Sequence, residues 1–177
     1  MIEAATQFTP LGLEDARTAL YRDANSYSRL PRLIDMQWQM DGEDWLRMLG
    51  EMWSGFDNIA QYVDDLQETP FADAFENPES CRHLLMTAEE ADTLDRLPHE
   101  ITIYRGCYAH NKWGLSWSLS RKAAERHVTL NRYRQDGQAL LVKATIKKAN
   151  VIALKLDREE QEIVALRPRH LSTRHIR

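Results

Sequence analysis

An α+β fold is predicted by three features of this chain. Helical periodicity fills the first half, β-branched and aromatic runs fill the second, and the two kinds do not alternate as they would around a parallel sheet. With only 7 glycines, the chain also has no Gly-x-Gly-x-x-Gly fingerprint and no phosphate-binding P-loop, which argues against a doubly wound nucleotide fold. The boundary falls at Pro98, giving a helical segment over residues 1–97 and a strand-rich unit over 98–177, expected to pack as one compact body.

The elements follow in order. A first helix is expected from near Leu13 to before Pro31. Asp41 reads as the cap of a second, with Glu43 and Asp44 in its first turn, where acids complement the helix dipole. From Trp45 the positions Met48, Leu49, Met52, Trp53, Phe56, Ile59, Ala60, Val63 and Leu66 recur at steps of three and four, with Gly55 as a candidate break into two helices. This Met and Trp stripe reads as core packing rather than as a lipid or cofactor groove. Pro70 to Pro78 reads as a loop. Thr87-Ala88-Glu89-Glu90 has capping-box spacing and opens a short helix with Ala91, Leu94 and Leu97 on one face. Strands are then expected at Ile101–Tyr104, Leu115–Ser118, Gln138–Ile146, Val151–Leu154 and, last, Ile163–Leu166, with a helix capped by Ser120 after the second strand and a polar turn over Asn131–Gly137.

Composition narrows the function classes. At 177 residues, 43% apolar and 28% charged, the chain has ordinary globular values and no apolar run long enough for a membrane span. The first residues lack the pattern of a secretory signal, so a cytoplasmic location is expected. Cys81 and Cys107 read as reduced structural thiols, and the six histidines show no ligand spacing, so no metal is expected. Net charge is −4, but residues 1–100 carry 21 acids and 7 bases while the remaining 77 carry 6 acids and 16 bases. A basic second half suits an anionic ligand, and equally suits neutralisation of one half by the other.

Three islands carry chemistry. Arg105 follows the first expected strand and precedes Gly106, where backbone can approach a ligand closely; a guanidinium offers a planar donor fork suited to phosphate. Ser116 and Ser118 share one face of a strand while Trp117 points to the other. Glu160-Gln161-Glu162 sits at the mouth of an apolar strand. Taken singly, each reads as ordinary surface. Together, in this order, they resemble the Arg, Ser-x-Ser and Glu-x-Glu elements of the mono-ADP-ribosyltransferases of the R-S-E class, with Trp117 departing from the usual middle Thr.

The resemblance spans roughly residues 98–170 and leaves the first 97 without a counterpart. It implies a split two-sheet β core that binds NAD as co-substrate, with Arg105, Gly106, Ser116 and Ser118 on the dinucleotide. It also implies that Ser116 supports the nicotinamide ribose, that Glu162 is the catalytic carboxylate, and that Glu160 serves an arginine acceptor. The reaction needs such residues: breaking the nicotinamide–ribose bond develops positive charge on the sugar, which a carboxylate stabilises. The acceptor is expected to be a macromolecule, foremost a protein arginine with nucleic acid as another candidate and no membrane partner, in an effector, toxin or phage-encoded host modifier. Two rival readings are an NAD glycohydrolase using the same residues, and a non-catalytic nucleic-acid or protein-binding module built on the basic tail from Arg167 to Arg177.

Overall fold

The computed structural model describes residues 9–130, 133–157 and 161–176. Among the described residues seven α-helices precede the first strand: α1 (Leu13–Asp23), α2 (Arg29–Asp35), α3 (Gly42–Met52), α4 (Val63–Leu66), α5 (Asp73–Glu76), α6 (Arg82–Leu85) and α7 (Ala88–Arg96). Then come β1 (Glu100–Cys107), β2 (Ser116–Ser118), α8 (Arg121–His127), β3 (Leu140–Lys147), β4 (Val151–Lys155), β5 (Glu162–Ala165) and β6 (Arg169–His175). The chain is an α+β protein. Among the described residues no helix is long and apolar enough to cross a membrane.

The caps legible in the sequence form as expected. Asp41 accepts a hydrogen bond from the Glu43 backbone N–H at 2.9 Å. Thr87 and Glu90 close a reciprocal capping box on α7, and Ser120 accepts from the Ala123 N–H at the start of α8.

The long apolar stripe does break at Gly55, but only a single α-helical turn follows the break. α3 stops at Met52, and 3-10 turns at Trp53–Gly55 and Ile59–Gln61 lead to the single turn of α4. Phe56 is extended and Asn58 has left the helical region, so the spacing of three and four survives here as packing rather than as a helix. The first helix ends at Asp23, and Pro31 lies inside the first turn of α2, where a missing N–H costs nothing. Pro70–Glu76 is helical rather than a loop, with Thr69 accepting from the Phe71 N–H.

The six strands among the described residues join one antiparallel sheet in the order β4-β5-β2-β1-β3-β6. The expected split into two sheets is replaced by a pinch. β2 has three residues, all paired with β5, and it meets β1 only at Tyr104↔Ser118. β1 and β3 pair along their whole length, from Glu100↔Lys147 to Cys107↔Leu140. β6 was not expected, because its residues are mostly polar and basic; all seven are exposed. It forms as an edge strand, where pairing on one side is enough.

Apolar packing occupies both faces. Trp45, Met48, Leu49, Trp53 and Phe71 of the helical half pack with Leu115, Ile152, Ala153 and Val164. Ile103, Trp117, Val142, Leu154 and Ile163 form the opposite cluster with Leu94 of α7. The helical half and the strand half therefore share a core, with no packing boundary at residue 97. On β1, a Cβ at Gly106 would lie 1.9 Å from the Ala124 carbonyl oxygen, so only glycine lets α8 pack this close.

Candidate active site

Pairing across β2 and β5 builds the site. The register Ser116↔Val164, Trp117↔Ile163 and Ser118↔Glu162 puts both serines and Glu162 on one face. Trp117 points into the opposite core, 2% exposed, with its indole N–H donated to the Gly114 carbonyl at 2.8 Å. The hydroxyl of Ser118 accepts from the Ser120 N–H at 3.0 Å, which ties the strand end to the start of α8. Glu162 is the first residue of β5 and follows Gln161, whose φ of 43° turns the chain sharply into the strand. Glu160 lies outside the described residues.

Arg105 sits within β1 rather than at its end, because pairing with β3 continues to Cys107. Beyond the single Tyr104–Ser118 pair, β1 and β2 diverge, and the Arg105 guanidinium bridges the gap. Nη1 donates to the Ser116 carbonyl at 2.6 Å, while Nε and Nη2 both donate to the Asn111 carbonyl at 3.3 Å. Gly114 makes room for it: a Cβ there would stand 2.7 Å from Nη2. Burial pushes the guanidinium below the usual arginine range, a shift that the Cys107 sulfur, once ionised, and the Glu162 carboxylate oppose. Its donors thus shape the loop over residues 111–114, and each Nη keeps a second hydrogen for another acceptor. Gly106, expected at the ligand, borders the cleft too, but its lack of a side chain is accounted for by α8.

These residues converge on one cleft of about 330 Å³, bordered by Arg105, Ser116, Ser118 and Glu162 on the sheet side. The opposite wall comes from the helical half, from Trp53 to Gln61. Here the Trp53 indole N–H donates to Glu162 Oε1 at 2.8 Å. Asn58 gives its amide N–H to the Tyr27 carbonyl at 2.8 Å, and its buried Oδ1 has no hydrogen-bond partner among the described residues. The rim is closed by Tyr133, whose hydroxyl donates to Asp57 at 2.8 Å and whose ring stacks on His127 with centroids 4.0 Å apart.

The sequence pattern did not single out Trp53, Asp57, Asn58, His127 or Tyr133 as site residues. Trp53 stood inside an apolar stripe and Tyr133 inside a polar turn, and nothing local to either distinguishes a cleft wall from core or loop. No family model, no curated protein and no solved structure matches the chain.

Proposed function

We propose that the chain is an NAD-dependent mono-ADP-ribosyltransferase that moves ADP-ribose from NAD to a macromolecular acceptor, most simply a protein arginine. The observation that carries this reading is convergence. Arg105, the Ser116–Ser118 strand and Glu162 come from three separate stretches of the chain and border one cleft, with Glu162 opposite Ser118 in register.

The donor set fits a dinucleotide. The remaining Nη hydrogens of Arg105 suit a pyrophosphate oxygen, and the half-buried Ser116 hydroxyl suits a ribose. In the reaction the nicotinamide–ribose C–N bond breaks, its electron pair leaves with neutral nicotinamide, and the acceptor bonds to the same sugar carbon. Glu162 contributes a fixed negative charge beside the positive charge that develops on the ribose. By this reading Glu160 takes the proton from the incoming acceptor.

The test is turnover of NAD labelled in its adenylate part, with cell lysate as acceptor, followed by protease or nuclease digestion of the labelled product. Glu162→Gln is expected to lower turnover by about 10²–10³ while the protein stays folded. Glu160→Ala is expected to keep NAD hydrolysis and lose labelling. Release of free ADP-ribose with no labelled macromolecule would make the chain a glycohydrolase. Near-normal turnover by folded Glu162→Gln, or none by the wild type, would overturn the assignment.

A further inference from the structure

We infer that Trp53, contributed by the helical half, is a positioning residue for the Glu162 carboxylate, so the first half of the chain is part of the active site. The catalytic meaning of this contact rests on the reading of Glu162 given above; the contact itself rests on geometry. Glu162 opens β5 directly after a residue with positive φ, so its strand neighbours lie only to one side in sequence. Contacts at the carboxylate head are what select one rotamer of a glutamate side chain in that setting. The Trp53 indole reaches Oε1 at 2.8 Å and fixes it.

Trp53 is itself held rigidly. It is 2% exposed, at the point where α3 gives way to a 3-10 turn whose last bond runs from the Phe56 N–H to the Trp53 carbonyl. Its ring packs on Phe71 with centroids 6.0 Å apart, and Phe71 meets Phe75 edge-on at 5.4 Å. Thr69 anchors Phe71 through its backbone N–H and donates its own hydroxyl to the Leu66 carbonyl. A short aromatic relay within the first half thus ends on the carboxylate.

The chemistry of the donor matters as much as its place. An indole N–H is a neutral donor with no acceptor capacity. It orients a carboxylate without supplying the positive charge that a lysine or arginine in its place would bring. A carboxylate that must oppose developing positive charge is best oriented in this way.

The experiment uses the full chain and two readouts. In ¹H–¹⁵N spectra, Glu162→Ala should move one indole N–H resonance upfield, and that resonance should be the one missing from Trp53→Phe. If Trp53→Phe fails to fold, replacing the other four tryptophans in turn assigns the signal by elimination. In NAD turnover, Trp53→Phe keeps an aromatic ring in place and is expected to lower kcat about ten- to hundredfold, with KM for NAD nearly unchanged. An indole spectrum indifferent to Glu162→Ala would overturn the contact, and full kcat in folded Trp53→Phe would overturn the positioning role. A wild type without NAD turnover would instead remove the transferase reading, while the indole shift still decides whether Trp53 holds Glu162.

Discussion

On one side of the Tyr104–Ser118 joint, β4 and β5 are almost wholly buried, and their polar groups meet partners in the helical half. On the other side, β6 ends the sheet as an edge strand, and its arginines meet acids at the surface. The contrast is sharpest in the ion pairs. Lys155 and Glu90 have side chains 4% and 3% exposed, and their ionic contact measures 2.9 Å. Both charges have further partners: the Glu90 carboxylate also accepts from the Thr87 and Leu156 N–H groups, and the Lys155 ammonium also donates to the Leu85 carbonyl. Arg169–Glu100 and Arg174–Glu125 are largely exposed pairs at the other edge. The covered half is where a side chain can be held in one geometry, and Glu162 stands there, in register with Lys155.

The comparison can be broken at its strongest point first. Lys155→Met leaves the Glu90 carboxylate buried without its counter-ion and should cost about 3–5 kcal/mol in denaturant unfolding. A Glu90→Gln/Lys155→Met double variant keeps a Thr87 capping partner and should recover much of that loss. Equal stability of the single variant and wild type would mean the pair contributes nothing beyond its apolar equivalent.

Arg105 stands at the joint itself. Arg105→Lys cannot span the Ser116 and Asn111 carbonyls with one planar fork, so a loss of about 1–2 kcal/mol is expected, together with weaker NAD binding. The variant should also become pH-sensitive. Burial at this position lowers the pKa, and a lysine starts from about 10.4, so its charge and its NAD affinity should fade as pH rises toward the alkaline range, while wild type holds. NAD titration at several pH values measures this, and an unchanged dissociation constant would return Arg105 to a purely structural role.

The smallest effect belongs to the edge. Arg169→Ala removes an exposed pair with Glu100 and should change stability by less than about 1 kcal/mol, and less still in high salt. A larger loss would show that β6 depends on this pair rather than on its ladder to β3.

These pairs also explain part of the charge asymmetry along the chain. Glu90–Lys155 and Glu100–Arg169 each join an acid of residues 1–100 to a base of the remaining 77. The surplus of bases in residues 101–177 is thus partly answered within the molecule.

What the sequence determined by itself was local. The caps at Asp41, Thr87 and Ser120 are legible because a cap is a contact between residues two or three apart. The common face of Ser116 and Ser118, with Trp117 opposite, follows from the two-residue period of a strand. The tertiary structure decided everything that required a distant partner. Phe56 and Ile59 keep helical spacing yet lie outside any α-helix, because burial against the sheet outweighs a weak local preference. β6 exists because β3 offers it a ladder, a template that its own exposed, polar sequence does not announce. Trp53 reads as core from its spacing, and it is core; only the fold places its single N–H on a carboxylate 109 residues away. Side-chain periodicity reports which face is buried, whereas a hydrogen bond between distant residues depends on how two faces meet.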